Sequence, residues 1–173
     1  MNKTKQKLYI MSGCPGSGKS TFAKNFLMNE NTLYVSRDEI RFSMVKEGEE
    51  YFSKENQVFN EFVRRINEGL SRGYNVIADA THLTEKSRSK LFFRLYANLS
   101  NVEVVAVILD IPYEICIERN EKRSNTRAYV PYRELIKMYK RFNCPDFKEC
   151  NGLINRIIMV APDNSTVELL KEE

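Results

Sequence analysis

Apolar residues along the chain fall in short blocks, and the blocks switch between two periods. The runs "KLYIMS" (7–12), "TLYVS" (32–36), "NVIADA" (75–80), "VEVVAVILD" (102–110) and "RIIMVA" (156–161) are compact and rich in β-branched and aromatic residues. They predict strands. The fourth is nearly continuous, as expected of a central parallel strand buried on both faces. Between the strands the spacing becomes helical. Residues 20–28 carry Phe22, Ala23, Phe26 and Leu27 on one face. Residues 37–45 set Ile40, Met44 and Val45 behind Asp38, which is placed like an N-cap. Residues 56–74 hold a long stripe of Val58, Phe59, Phe62, Val63, Ile66 and Leu70, with Gly69 or Gly73 near its end. Residues 81–99 read as a loop and then a helix. Asp110 and Pro112 open another helix, and residues 133–142 form one after Pro131. Beyond residue 161 the chain reads as a short polar tail. Strands alternating with helices predict an α/β fold, a central parallel sheet flanked by helices. Ligands gather at the carboxyl ends of such strands. That end brings together residues 12–20, 36–41, 79–82 and Asp110.

Composition narrows this picture without redirecting it. A length of 173 residues makes one domain the expectation, and 42% hydrophobic residues suffice for a core. No apolar run approaches the roughly 20 residues that span a bilayer. The basic start "MNKTKQK" is not followed by a signal-peptide apolar stretch. Cys14, Cys116, Cys144 and Cys150 show no paired spacing, so free thiols in a reducing cytoplasm are expected. With one histidine and no paired ligand spacing, no structural zinc is expected. The net charge is +4, but between Arg119 and Arg141 eight basic residues face two acidic ones, a local +6. A charge run is often only a solvated face. Beside a nucleotide site it also suits anionic ligands.

The chemistry is most explicit in "GCPGSGKS", residues 13–20. Its G-x-x-x-x-G-K-S spacing, between a predicted strand and a predicted helix, is the P-loop pattern. Gly13 and Gly18 take backbone angles that side chains forbid. Successive N–H groups of Gly13, Cys14, Pro15 (which lacks one), Gly16, Ser17, Gly18, Lys19, Ser20 and Thr21 then frame phosphate oxygens. Lys19 reaches the β- and γ-phosphates of ATP, and the Ser20 hydroxyl sits on Mg²⁺. A second cluster, "SRDEIR" (36–41), places Asp38 and Arg41 three residues apart at a helix start. A carboxylate there can orient and deprotonate an attacking hydroxyl, and a cation can hold the acceptor. The bland alternative is a capping Asp and a surface Arg. In a third cluster, "RNEKR" (119–123), Arg119 and Arg123 stack at i,i+4, suited to equatorial phosphoryl oxygens. A charged helix pair carrying them, about residues 117–142, is the expected lid.

"GCPGSGKST", "SRDEIR", "VIADATHL" and "IERNEKR…VPYRELIKMYK", in that order, resemble the bacteriophage-type polynucleotide 5′-kinase family, kinase domain only. The resemblance covers roughly residues 7–142. It implies a P-loop NTPase, nucleoside-monophosphate-kinase-like, with a helical lid and a 5′-hydroxyl nucleic acid as acceptor. On that likeness Lys19 and Ser20 bind phosphates and Mg²⁺, and Asp38 is the general base. Arg41 holds the acceptor's adjoining phosphate, and Arg119 and Arg123 are lid arginines on the donor. Where the family often reads D-x-T-N, this chain has Asp79-Ala80-Thr81-His82. The D-x-D-G-T motif of a fused phosphatase is absent from the sequence. Two other readings stay open at this point: a P-loop kinase of a small-molecule alcohol, and an ATP-binding switch that needs Lys19 and Ser20 but not Asp38.

Overall fold

The computed structural model describes residues 5–46 and 48–172; the first residues of the basic start lie outside them. A six-stranded sheet runs in the order β2-β3-β1-β4-β5-β6. The strands are β1 (Gln6–Ser12), β2 (Thr32–Ser36), β3 (Asn75–Asp79), β4 (Val102–Ile108), β5 (Arg156–Val160) and β6 (Thr166–Leu170). The first five are mutually parallel, as expected from their apolar runs. β6 pairs antiparallel with β5 and is exposed along its whole length. The polar tail is therefore a strand. Its backbone pairs with β5, although no face of it is buried deeply enough to write a strong apolar pattern.

Each face of the sheet has its own core. On one face Leu8, Ile10, Ala78, Val104 and Ile108 pack against α3 (Glu55–Ser71) and α4 (Glu85–Phe92). All six stripe residues of α3 are buried, each worth about 1.5–3 kcal/mol. Gly73, at φ 85°, ends that helix, whereas Gly69 is inside it. A Cβ on Gly69 would meet Leu33 at 2.7 Å, so glycine lets α3 close on the sheet edge. On the other face Met11, Ile77, Val105 and Val107 pack against α1 (Lys19–Phe22) and α5 (Tyr113–Glu121). From Ala23 to Leu27 the chain continues α1 as a wider π turn, and Phe26 lies exposed.

Two boundaries differ from the periodicity. α2 (Arg37–Met44) is capped by the Ser36 hydroxyl, which accepts from the Glu39 N–H. Asp38 is therefore inside the helix, and its carboxylate is free for other work. α4 stops at Phe92 because buried Asn67 captures the next segment. Its amide oxygen accepts from the N–H groups of Tyr96 and Ala97, and its amide nitrogen donates to Arg94 O. α6 (Tyr132–Arg141) follows Pro131 as expected, separated from α5 by turns.

Candidate phosphoryl-transfer site

β1 is flanked by β3 and β4, and its end runs straight into the Gly-rich loop. Register places Ser36 beside Asp79, and Ser12 beside Ile108, at one end of the sheet. The loop is braced from below. The Gly13 N–H donates to Thr81 O at 3.0 Å, and the Ser12 hydroxyl donates to His82 O at 3.0 Å. Gly13, at φ 155°, takes a backbone angle that side chains rarely adopt, as expected, and a Cβ there would also meet Leu109 O at 2.8 Å. Gly16 combines both constraints, with φ 82° and a Cβ position 2.4 Å from Cys116 O. The loop is thus pressed onto the start of α5. The first N–H groups of α1, as at any helix start, have no intrahelical partner.

Lys19 is buried within the loop, its Nζ donating to Cys14 O at 2.8 Å and to Ser17 Oγ at 3.4 Å. Burial pulls its pKa down, and Asp79, Cys14 and Asp38 oppose that pull. The neighbouring Cys14 thiol is pushed up to about 12, first by burial, so it is no nucleophile. Ser20 is exposed at the mouth, and its hydroxyl donates to Asp79 Oδ2 at 2.6 Å. The Tyr34 hydroxyl donates to the same oxygen. A hydroxyl and a carboxylate held together are hard oxygen donors of the kind Mg²⁺ takes, the rest of its shell coming from water and phosphate. Among the described residues no group of three or more His, Cys, Asp or Glu gathers as a metal cluster.

Asp38 faces this loop from α2. Its side chain is 61% exposed, while that of Arg41 is 6% exposed. Arg41 Nη1 donates to Asp38 and to the Tyr51 hydroxyl. Its Nε and Nη2 grip Glu55 Oε2 at 3.2 and 2.9 Å. The guanidinium also lies 4.7 Å from the Tyr51 ring centre and 5.5 Å from that of Phe52. Every Arg41 nitrogen is thus engaged by the protein itself. These contacts hold Arg41 between Asp38 and Glu55.

From the other side of the cleft, Arg119 Nη1 donates to Ser17 O at 3.0 Å, on the loop itself. Arg123, one turn later, leans on Asn120 Oδ1 at 3.3 Å. Burial pushes its pKa down, and Asp38 and Tyr51 oppose this across the cleft. Lys19, Asp38 and Arg123 therefore share one electrostatic site. Asp110, expected at the same end, is exposed. His82 is fully enclosed instead. Its Nδ1 lies 2.7 Å from Met11 O, so Nδ1 carries the proton, and burial takes its pKa to about 3. Its carbonyl also accepts from Arg88, which is itself locked to buried Glu149. His82 is a neutral pillar under the loop, not a cation near phosphate.

Glu55, Tyr51, Tyr34 and the pairing of Asp79 with Ser20 were not marked by motif. Glu55 begins a long helix, where an acidic residue has an ordinary reading as a complement to the helix dipole. Its partners lie 14 and 18 residues upstream.

A glycine-rich loop at the end of β1, a hydroxyl and carboxylate beside it, and a buried lysine within it define a P-loop protein, and the architecture is the P-loop kinase fold. The chain belongs to the AAA domain family, whose model matches residues 8–145. It is 29% identical over 148 residues to the L-seryl-tRNA(Sec) kinase of Methanococcus maripaludis, covering 82% of this chain and 54% of that protein. It is 25% identical over 150 residues to the bifunctional polynucleotide kinase/RNA ligase of Autographa californica nuclear polyhedrosis virus, covering 79% of this chain and 21% of the other. A chain in the structure of the Pnkp1/Rnl/Hen1 RNA repair complex superposes with a TM-score of 0.67 at 26% identity, over 81% of this chain and 45% of that one. The likeness to polynucleotide kinases read from the motifs is thus borne out. The chain spans about half or less of the length of each of these relatives. Among the described residues no helix is long and apolar enough to cross a membrane.

Proposed function

We propose that this protein transfers the γ-phosphoryl group of ATP to the 5′-hydroxyl of a polynucleotide. The observation that carries the transfer is the open Asp38 carboxylate, held by Arg41 opposite Lys19 and Arg123. A nucleotide switch has no use for a braced, solvent-facing carboxylate at this place. The relatives that act on polynucleotide and on seryl-tRNA support an acceptor carried by nucleic acid.

In this reading the loop N–H groups and Lys19 hold the β- and γ-phosphates. Ser20 and Asp79 would hold Mg²⁺, which supplies charge neutralisation across the β- and γ-oxygens when bound. Asp38 accepts the hydroxyl proton while the acceptor oxygen bonds to the γ-phosphorus. The bond from that phosphorus to the β–γ bridging oxygen breaks, and ADP leaves with the electron pair. Arg119 and Arg123 stabilise charge on the equatorial oxygens. The segment from α5 through α6, about residues 117–142, acts as the lid that excludes water. The free thiols, three of four buried, suit a reducing compartment such as the cytoplasm.

Transfer of label from γ-labelled ATP to a 5′-hydroxyl oligonucleotide tests the proposal. Asp38→Asn keeps the side-chain shape and removes the base, so kcat should drop about 10²- to 10⁴-fold with ATP binding retained. Wild-type turnover by that variant would overturn the assignment. A wild type that ignores every 5′-hydroxyl strand and phosphorylates a small alcohol would move the acceptor class.

A further inference from the structure

The acceptor side of the cleft continues into a basic face that the transfer chemistry does not use. Glu55, which fixes Arg41, also takes Arg37, and the Arg37 guanidinium lies 5.1 Å from the Phe59 ring centre. Two more cations converge on that ring, Lys90 Nζ of α4 at 4.6 Å and Arg94 Cζ, just beyond the end of α4, at 5.9 Å. Lys86, one turn before Lys90, extends the row. None of Lys86, Lys90 and Arg94 has a carboxylate within 4.0 Å among the described residues. The exposed arginines of α3, in contrast, are paired with Glu61 and Glu68. Unneutralised cations brought together repel one another, and the repulsion is relieved when an anionic chain lies along them. Beside them the Phe93 ring stands 82% exposed. Lys86, Ser89, Lys90, Phe93 and Arg94 line one shallow hollow. A single exposed Phe is ordinary. An exposed ring among unpaired cations, joined without a break to the candidate base through Arg37, Glu55 and Arg41, has the composition of a single-strand platform, in which cations follow the backbone and rings stack bases.

We infer that the acceptor strand leaves the active site over this face. Its 5′-hydroxyl sits at Asp38, its first phosphate passes Arg37, and the following ones reach Lys90, Arg94 and Lys86 with a base against Phe93. The inference rests on the polynucleotide reading and deepens it: the acceptor is a single strand several nucleotides long.

Lys90→Gln/Arg94→Gln and, separately, Phe93→Ala are compared with wild type. Thermal unfolding checks that each variant folds; Phe93, in open solvent, is the safer change. Two readouts are taken: kinetics with a 5′-hydroxyl strand of about ten nucleotides and with a nucleoside 3′-phosphate, and fluorescence anisotropy of the labelled strand without ATP. Either set of substitutions should raise KM and Kd for the strand about 10-fold, leave kcat unchanged, and leave the nucleoside 3′-phosphate unaffected. The double charge variant should also flatten the salt dependence of strand binding by about 1.4 in log–log slope. Equal effects on long and short acceptors, or strand binding indifferent to all three residues, would overturn the inference while leaving the phosphotransferase reading intact. Strand binding that depends on these residues, in a protein that phosphorylates no 5′-hydroxyl, would uphold the face and sink the proposed reaction instead.

Discussion

Replacing Arg41 by Lys separates a brace from an acceptor hold. Arginine's fork lets one residue reach Glu55 with Nε and Nη2 while Nη1 serves Asp38 and Tyr51. A single ammonium cannot span both partners. Glu55 keeps Arg37, so no buried carboxylate is stranded. The stability loss should therefore be about 1–2 kcal/mol, below the 3–5 kcal/mol of a buried pair broken outright. The bond lost at Asp38 is charge-assisted, worth about 1.5–3 kcal/mol. At about 1.4 kcal/mol per decade this is about 10- to 100-fold, and it should appear in kcat because a misaimed base acts only in the transition state. Steady-state kinetics with a phosphate-bearing acceptor and with a bare nucleoside give the split. Both should lose kcat by a similar factor with KM little changed. If KM rises only for the phosphate-bearing acceptor and kcat holds, Arg41 leaves Glu55 to grip the acceptor, and the bracing argument is refuted.

Lys19→Ala should abolish transfer, because the loop's only cation among its described side chains is lost from the β- and γ-phosphates; near-normal turnover by purified variant would remove the donor site from this loop. His82 should make wild-type stability fall with acid: its folded pKa of about 3 is below the unfolded value near 6.5, so its contribution is present above about pH 6.5 and is lost as pH falls toward 3. Urea unfolding between about pH 6.5 and 4.5 should show a slope approaching about 1.4 kcal/mol per pH unit that His82→Asn flattens, and equal slopes in the two proteins would refute it. Hydrogen exchange over residues 117–135 should slow when a non-hydrolysable ATP analogue binds, and equal protection with and without it would rule out a closing lid.

The parallel sheet was legible because β1 and β4 are buried on both faces, which writes nearly unbroken apolar runs. The Gly-rich loop was legible because phosphate binding fixes residue type at each step. β6 was hidden for the opposite reason: an edge strand with every residue exposed is held by its backbone pairing, and its composition is free to look like a tail. The end of α4 depends on Asn67, far upstream, and a local window over residues 85–99 carries no trace of it. Asp38 and Arg41 were found by spacing, but their division of labour depended on Glu55 and Tyr51, across a loop whose length sets no periodic signal. His82 stands where the related family often has Asn, and only its burial and its bond to the Met11 carbonyl, invisible in sequence, tie it to the support of the loop.

The P-loop by itself does not distinguish a transferase from a switch, since both need the phosphate cradle, the lysine and the hydroxyl. The two carboxylates near Lys19 do. Asp79 is buried, and it accepts from both Ser20 and Tyr34 on one oxygen, which turns it toward the loop and fixes the hydroxyl beside it. Asp38 is open to solvent and held from behind by one buried cation, which leaves its outer lone pairs free toward the cleft. A group that only shaped the loop would gain nothing from exposure, and a group that only capped α2 is excluded because Ser36 already does so. A carboxylate with Oδ1 held by Arg41 and the Tyr51 hydroxyl and its other oxygen turned to solvent is suited to take a proton from an incoming hydroxyl. The construction of Asp38 from α2, Arg41 and Glu55 is therefore the strongest physical argument that this cleft serves an acceptor as well as a nucleotide.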